Sequence, residues 1–390
     1  MAKTKRPQKG INKEMHLVRH LFNEDKLKHV PTRNGYGEGV VEAGEANKNV
    51  VVLCCDLTES TRSHLFKKAF PDRFIQMGIA EQALASIGAG LSLVGKVPFI
   101  SSYAAFSPGR NWEQIKTGVA LQNSNVKIAG AHAGLSVGPD GATHQMLEDI
   151  AITRILPNMT VVVPCDYLET KKTTIAGAKK KGPFYFRFAR SASPVITTKQ
   201  TPFKIGRAET FRFGEDLTII AAGPLMYEAL LAAEMLSKDH GIEARVINCH
   251  TIRPLDVKAI VKAAKETGAI VTVEEAQVAG GLAGAVCETL ALTTPIPVER
   301  IGAQDRFGES GEPRQVQEGL GVTAPFIAMA ADRVLQRKMG KRVSAIPAHI
   351  TAAEQRLELA QKEIMSEALS RAPKKWGGKK PNNTLKSRKK

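Results

Sequence analysis

The feature that most limits the possible folds is a repeated alternation of apolar runs with helix-like stretches. Short runs rich in valine, isoleucine and phenylalanine recur at residues 50–55, 97–101, 126–131, 160–163 and 184–188. Stretches with helical spacing lie between them, at residues 81–94, 112–121, 144–155 and 167–180. Strands that are apolar throughout are buried on both faces, which requires helices on both sides of the sheet. The pattern therefore predicts a doubly wound, mostly parallel α/β sheet.

A second block of the same kind follows. Its strand-like runs lie at residues 217–221, 244–247, 269–273 and 297–301, and its helix-like stretches at 224–236, 256–266, 283–292 and 325–336. Pro194 and Pro202 punctuate the segment between the blocks, which we interpret as a linker over residues 193–203. The sequence thus predicts two doubly wound, mostly parallel-sheet α/β domains in tandem, at residues 31–192 and 204–340.

The net charge of +17 is concentrated at the two ends of the chain. Residues 1–30 carry eight Lys or Arg against three Asp or Glu, and residues 341–390 carry thirteen against four. The part between them is close to neutral, which does not favour a nucleic-acid-binding fold. We predict a basic extension at 1–30, a helix over 352–368 and a disordered basic tail from Arg371. Either the tail is solvated without a partner, or it binds RNA or an anionic membrane weakly.

Cysteine spacing and hydropathy exclude further classes. The five cysteines lie in apolar, strand-like segments and lack metal-ligand spacing, which indicates buried, reduced thiols rather than a metal site. No apolar run approaches the roughly 18 to 20 residues of a membrane span, and no signal-peptide-like segment follows the basic start. We therefore expect a cytoplasmic protein that holds no metal of its own.

Polar loops follow the strands of the first block, where ligands bind in parallel α/β sheets. Four loops carry groups suited to binding or proton transfer: Asp56-Leu57-Thr58-Glu59-Ser60, Met77-Gly78-Ile79-Ala80-Glu81-Gln82, Ser102-Tyr103-Ala104-Ala105-Phe106, and residues 131–145. Each has an ordinary explanation when taken alone. Glu81 would suit a helix start because of the helix dipole. Tyr103 and Phe106 would suit a core, and His132 and His144 a surface loop.

The order and spacing of these segments resemble the transketolase family, specifically its pyrimidine-binding domain followed by its C-terminal domain. The similarity covers roughly residues 31–336. Its strongest parts are Gly78-Ile79-Ala80-Glu81-Gln82, Tyr103-x-x-Phe106 and Asp140-Gly141-Ala142-Thr143-His144-Gln145. The last string is specific to transketolases and deoxyxylulose-phosphate synthases. Asp305-Arg306-Phe307-Gly308-Glu309-Ser310-Gly311 also looks like the C-terminal domain of transketolase-type chains.

The resemblance implies an enzyme that uses thiamine diphosphate to move a two-carbon ketol unit from a ketose phosphate to an aldose phosphate, as in the pentose phosphate pathway. Glu81 would face N1′ of the aminopyrimidine ring as a catalytic carboxylate. That contact favours the imino form, whose N4′ takes the proton from thiazolium C2. Phe106, with Tyr103 beside it, would stack on the pyrimidine, and Asp56 would lie close to the cofactor.

The resemblance also implies a substrate surface. Asp140 and His144 match positions that contact sugar hydroxyls and the reacting oxygens, where a histidine donor would stabilise developing charge. A phosphate group requires cationic and polar donors. The matching residues are Arg33, Ser60, His132 and Arg190, and Arg187 is a further candidate two positions inside its strand.

The other half of the family's cofactor site has no counterpart in this sequence. The resemblance implies a GDG motif for the diphosphate and for Mg²⁺ or another divalent metal, and the chain contains no GDG. Gly35-Tyr36-Gly37-Glu38-Gly39 does not follow a strand, so we interpret it as leading into a helix rather than as a phosphate loop. We therefore expect the C-terminal subunit of a split transketolase, active only with a diphosphate-binding N-terminal subunit, as an α2β2 assembly.

Three alternatives stay open. The β subunit of a 2-oxoacid dehydrogenase E1 shares the two-domain layout and the cofactor-facing glutamate, but the DGxTHQ string and the phosphate-binding candidates oppose it. A deoxyxylulose-phosphate synthase-like enzyme shares the string but is normally a single chain. An RNA-associated scaffold would use the basic ends and no catalytic residue.

Overall fold

The computed structural model describes residues 9–341, so the predicted helix at 352–368 and the basic tail from Arg371 lie outside the described residues. The strands are β1 (Gly10–Ile11), β2 (His29–Pro31), β3 (Val50–Cys54), β4 (Phe74–Gln76), β5 (Val97–Tyr103), β6 (Lys127–Ala131), β7 (Thr160–Val162), β8 (Phe184–Phe188), β9 (Ala192–Pro194), β10 (Glu209–Phe213), β11 (Leu217–Ala221), β12 (Ala244–Asn248), β13 (Thr251–Arg253), β14 (Ile270–Gln277) and β15 (Val298–Ala303).

The helices connect these strands. They are α1 (Thr32–Ala46), α2 (His64–Ala69), α3 (Glu81–Leu93), α4 (Trp112–Gln114), α5 (Asp149–Arg154), α6 (Tyr167–Lys179), α7 (Met226–His240), α8 (Val257–Thr267), α9 (Leu282–Thr293), α10 (Pro313–Gly319) and α11 (Ala324–Lys338). Within residues 9–341, no helix has the length and apolar character needed to cross a membrane.

The first sheet has seven strands in the order β13-β7-β8-β6-β5-β3-β4. Every pair from β7 to β4 is parallel. All residues of β3, β6 and β8 are buried, because helices cover both faces of the sheet. The doubly wound sheet predicted from the continuous apolar runs is confirmed.

The second sheet has six strands in the order β1-β10-β12-β11-β14-β15. Strands β12, β11, β14 and β15 run parallel, whereas β10 pairs antiparallel with β12 at one side. The predicted fold class, two mostly parallel sheets in tandem, is therefore confirmed. The sequence analysis missed β10 and β1, because an antiparallel strand of five residues and an edge strand of two residues are defined by their pairing and not by an apolar run.

Three short pairings cross the expected divisions of the chain. Strand β13 belongs to the second block by sequence but pairs antiparallel with β7 of the first sheet. Strand β2 pairs antiparallel with β9, so the segment predicted as a linker begins within a paired strand. Strand β1 pairs with β10 of the second sheet. The domain limits at residues 31–192 and 204–340 stay a prediction.

The basic segment before β2 is folded against the second sheet rather than separate from it. Met15, Leu21 and Leu27 are buried in one core with side chains of β11, α7 and α11. The Asn12 N–H donates to the Phe211 carbonyl at 2.9 Å. Burial of these apolar side chains stabilises the segment, a contribution that net charge alone does not reveal.

Two predicted helices differ in the structure. The helix expected over residues 144–155 begins only at Asp149. The preceding loop is held instead by the Gln145 amide, which donates to the carbonyls of Leu135 and Glu309 at 3.2 and 2.9 Å. The helix expected over residues 112–121 forms, but α4 continues as a π-helix over Ile115–Ala120.

The glycines of the segment 35–39 lie inside α1, which begins at Thr32, so they do not lead into the helix. A Cβ on Gly35 would lie 2.2 Å from the carbonyl oxygen of Tyr167, and one on Gly39 would lie 2.8 Å from the Cβ of Thr174. Helices α1 and α6 therefore approach too closely for side chains at these positions. The glycines serve helix packing.

We expect His250, between β12 and β13, to make stability depend on pH. Its ring is fully buried 4.5 Å from the Phe203 ring, and burial lowers its pKa to about 3. A folded-state pKa below the unfolded value gives stability that is present above about pH 6.5 and lost as the pH falls. Relative to His250→Asn, the native chain should lose about 2 kcal/mol between pH 7 and pH 5. Urea unfolding at both pH values measures this, and a pH-independent difference contradicts it.

Candidate active site

The predicted site residues follow neighbouring strands of the first sheet. Asp56 follows β3, Tyr103 ends β5, His132 follows β6 and Arg190 follows β8. These four strands are adjacent and parallel, in the order β8-β6-β5-β3. Their carboxyl ends therefore share one edge of the sheet, the position at which ligands bind in such folds.

Two aromatic and two histidine rings meet at this edge. The rings of Tyr103 and Phe106 are stacked, with centroids 5.9 Å apart and planes 14° from parallel. The His132 ring lies 4.1 Å from Tyr103, and the His144 ring meets Phe106 edge-on at 5.5 Å. Residues from the loops after β5 and β6 thus form one cluster, which we call the ring cluster.

Glu81 is the first residue of α3 and only 2% exposed. Its Oε1 accepts a hydrogen bond from the Ser102 hydroxyl at 3.1 Å, and its Oε2 lies 3.6 Å from the Arg110 guanidinium. Asn111 donates from its side-chain amide to the Glu81 carbonyl at 2.9 Å. These contacts fix a buried carboxylate next to the strand that carries Tyr103, where the α3 dipole favours negative charge.

The sequence analysis did not identify Ser102, Arg110 or Asn111. Ser102 is fully buried at the carboxyl end of β5, and its position directly before Tyr103 was a usable signal. Arg110 and Asn111 follow the loop after β5 and belong to no motif that we recognised. Their approach to Glu81 depends on how α3 packs beside that loop.

His132 and Arg33 form the cationic side of the site. Arg33 donates from Nη1 to the Ser60 carbonyl at 3.1 Å and lies 3.3 Å from Nε2 of His132. The pKa of His132 is lowered to about 3 by burial first and then by the charges of Arg33 and Arg190. The ring is therefore neutral at physiological pH.

The contact with Arg33 also selects the tautomer of His132. A guanidinium only donates, so Nε2 of His132 must accept and the ring hydrogen lies on Nδ1. Neither Nδ1 of His132 nor Nε of Arg33 has a hydrogen-bond partner among the described residues, although both are buried. The N–H groups at Nδ1 of His132 and Nε of Arg33 are therefore available to donate to an anionic or oxygen-rich ligand.

Asp140 and Arg190 lie at the rim. Their side chains form an ion pair at 3.0 Å and are both partly exposed. The loop that carries Asp140 turns at Gly141, whose φ is +72°, and a Cβ there would lie 2.3 Å from the hydroxyl oxygen of Ser310. Similarly, a Cβ on Gly308 would meet the Gln145 side chain. The strings at 140–145 and 305–311, recognised separately in the sequence, are thus packed against each other.

Three predicted residues have contacts that differ from the sequence analysis. Asp56 is exposed, and its carboxylate makes no hydrogen bond or ion pair within residues 9–341, so its place near a cofactor stays a prediction. Ser60 contacts Arg33 through its carbonyl. Arg187 is buried, pairs with Asp149 at 3.1 Å and donates to the Glu275 carbonyl of β14 at 3.0 Å, so it links the two sheets, and its substrate role stays a prediction.

The arrangement fits the aminopyrimidine end of thiamine diphosphate. It offers a buried carboxylate on a fixed helix start, a partly exposed aromatic pair, and unpaired donors on the cationic side. Among the residues that the structure describes, no group of three or more His, Cys, Asp or Glu side chains could hold a metal ion. The groups at this edge of the sheet therefore suit the ring of the cofactor.

Two family models match the chain in tandem. The transketolase pyrimidine-binding domain matches residues 28–195, and the transketolase C-terminal domain matches residues 206–327. The chain is 44% identical, over 76% of its length and 93% of the relative, to a putative transketolase C-terminal section of Methanocaldococcus jannaschii. It is 37% identical, over 81% of its length and 98% of the relative, to a 6-deoxy-6-sulfo-D-fructose transketolase subunit of a Clostridium species.

A solved structure has the same fold. A split-gene transketolase in an inactive β4 tetramer is 44% identical and superposes with a TM-score of 0.75. The similarity covers 79% of this chain and 99% of that one. Both domains and their order are therefore shared with a chain of similar extent.

Proposed function

Since the chain belongs to the transketolase family, as its pyrimidine-binding and C-terminal domains together, we propose that it is the C-terminal subunit of a split transketolase. It transfers a two-carbon ketol unit between a ketose phosphate and an aldose phosphate, with thiamine diphosphate shared between this chain and an N-terminal subunit. The observation that carries this proposal is the buried Glu81 carboxylate beside the ring cluster.

Glu81 is the proton-handling group of this chain. Thiamine diphosphate, when bound, supplies a thiazolium carbon that becomes a nucleophile after losing its proton. The Glu81 carboxylate would hold a proton on N1′ of the pyrimidine, while Ser102 and Arg110 keep the carboxylate in place. Phe106 would cover one face of the ring and exclude water.

The cationic side suits the anionic end of a sugar. Arg33 and Arg190 supply fixed positive charge, and the neutral His132 donates from Nδ1. His144, at the edge of Phe106, would face the oxygens on which charge develops during carbon–carbon cleavage. One relative is named for a sulfonated sugar, and a sulfonate presents oxygens much as a phosphate does. We propose phosphate as the anion for this chain.

Exposed aliphatic side chains before and after α3, the helix that begins with Glu81, would suit contact with an obligatory partner subunit. Ile79 is 75% exposed two residues before Glu81, and Leu93 and Val94, at the end of α3, are also exposed. Leu121, after the neighbouring π-helix, is 78% exposed. An exposed set of large aliphatic side chains marks an interaction surface. A diphosphate-binding subunit beside α3 would complete the site, most simply as α2β2, and would hold the divalent metal.

Reconstitution tests the proposal. The chain is mixed with a GDG-containing N-terminal subunit, thiamine diphosphate and Mg²⁺, and ketol transfer from xylulose 5-phosphate to ribose 5-phosphate is measured. We expect activity only when both chains are present, because each supplies half of the cofactor site. Oxidative decarboxylation of a 2-oxoacid, or deoxyxylulose-phosphate synthesis, in place of ketol transfer would refute it.

A shortened chain ending at residue 340 is the control for the scaffold alternative. It keeps every residue assigned to the site but lacks thirteen basic residues. We expect it to retain ketol transfer, since the residues that it keeps carry the proposed chemistry. RNA retention by the full chain, with no transferase activity in either form, would favour the scaffold instead.

A further inference from the structure

A groove of about 440 Å³ lies on the described part of the chain away from the active site. Its walls come from three places: the segment before β2, the start of α6, and the segment that follows β9. None of the residues that line it belongs to the ring cluster, the surroundings of Glu81 or the rim. Its volume falls within the roughly 300 to 1,000 Å³ of small-molecule sites.

Backbone hydrogen bonds hold the walls of this groove together. The Val18 N–H donates to the Ile196 carbonyl at 3.0 Å, and the Val195 N–H donates to the Lys28 carbonyl at 2.8 Å. The Thr198 hydroxyl donates to the His16 carbonyl at 2.7 Å. The pyrimidine-domain match begins at residue 28, so one wall is formed by residues that precede both matched domains. The groove is thus an ordered addition to the two-domain core.

Unpaired positive charge surrounds the groove. Arg19, Lys26, Lys28 and Lys199 line it, and none of them makes a hydrogen bond or ion pair with another side chain of residues 9–341. No Asp or Glu is among the lining residues. Neighbouring cations repel one another, and an anion bound among them would relieve that repulsion. Several cations favour a multiply charged group such as a phosphate over a single carboxylate.

The floor between these cations is aliphatic. Val18, Leu27, Leu168 and Val195 contribute it, and no Phe, Tyr or Trp lines the groove. Apart from the exposed imidazole of His20, the lining has no aromatic ring on which a nucleotide base could stack. It suits a flexible or branched aliphatic body, whose burial would add affinity to the charge contacts.

We propose that this groove binds a soluble organic phosphate or diphosphate with an aliphatic body. The chain's own ends do not suit this groove as a ligand. Residues 1–8 and 371–390 are strongly basic and contain no Asp or Glu, so the positive charge of the groove would repel them. The groove is separate from the residues of the transferase chemistry. Its occupancy would therefore follow the concentration of such a metabolite, and the bound metabolite would take no part in ketol transfer.

Titration calorimetry on the full chain tests the proposal, with geranyl diphosphate and inorganic pyrophosphate as probes. We expect geranyl diphosphate to bind at least ten times more tightly than pyrophosphate, since only it contacts the floor. A Lys28→Ala and Lys199→Ala double variant should weaken geranyl diphosphate binding at least ten-fold. The matched control removes two exposed lysines of α8, with Lys258→Ala and Lys265→Ala, and should bind as the native chain does.

Several results would overturn the proposal. Equal weakening in the two double variants would mean general charge attraction, and equal affinity for both probes would mean that the floor contributes nothing. Loss of binding in Arg33→Ala would place the ligand in the substrate site. Retention on phosphatidylglycerol vesicles, or binding of a glutamate peptide, without binding of either soluble probe would identify a surface for a membrane or a protein. None of these outcomes depends on transferase activity, so the proposed function is tested separately.

Discussion

Replacing Glu81 with glutamine is expected to lower the rate of ketol transfer by about 100-fold or more in the complex with the N-terminal subunit. Glutamine keeps the size of the side chain, and its Oε1 can still accept the Ser102 hydrogen bond. It loses the negative charge that would hold a proton on the pyrimidine. The measurement is kcat for transfer from xylulose 5-phosphate to ribose 5-phosphate, at saturating thiamine diphosphate.

Glu113→Gln is the matched control for this variant. Glu113 lies on α4 and is exposed, and within residues 9–341 its carboxylate hydrogen bonds only with its neighbours Gln114 and Thr117. It should retain native activity, because its charge lies outside the ring cluster and the surroundings of Glu81. Size-exclusion chromatography must show that both variants still assemble with the partner. Native activity in an assembled Glu81→Gln complex would remove Glu81 from the mechanism.

Replacing Gly35 with alanine is expected to destabilise the folded chain by about 2 to 3 kcal/mol. The added Cβ would lie 2.2 Å from the carbonyl oxygen of Tyr167 and 2.9 Å from the backbone nitrogen of Lys171. Both atoms belong to the backbone of α6 and cannot turn away, so α1 and α6 must move apart. Arg33 and Thr32 begin α1, so that movement would also disturb the cationic side of the site.

Gly90→Ala provides the comparison within another helix. Gly90 lies inside α3, and a Cβ there meets nothing within 4 Å. Alanine lowers the entropy of the unfolded chain and suits a helix, so this variant should gain about 0.5 to 1 kcal/mol. Urea unfolding of the isolated chain measures both variants. A Gly35→Ala chain as stable as Gly90→Ala would show that the two helices are not in close contact.

Residues 140–145 of the first domain pack against residues 305–311 of the second, so the two domains meet at the candidate site. His144 and Asp140 stand on a loop that is supported by Gln145, Leu135 and Glu309. Of these, only Glu309 belongs to the second domain, and its carbonyl accepts a hydrogen bond from the Gln145 amide. The second domain therefore helps to hold the loop that carries Asp140 and His144.

The sequence predicted that the candidate site residues lie together because they follow neighbouring strands. Continuous apolar runs mark buried parallel strands, and parallel strands bring their carboxyl ends to one edge. Tyr103, Phe106, His132 and His144 were accordingly identified in the sequence, and the structure brings their rings together. Which atoms touch was not predictable, since the tautomer of a histidine depends on a partner far away in the chain.

The sequence by itself determined the two doubly wound sheets, the positions of most helices and strands, and the resemblance that identifies Glu81. Each of these follows from local periodicity or from a contiguous string of residues. Only the tertiary structure decided that Arg187 forms a buried ion pair and that Gly35 lets α1 and α6 approach to backbone contact. It also decided that the basic first segment forms one wall of a groove. Those outcomes depend on contacts between residues far apart in the chain, and such contacts leave no periodic trace in the sequence.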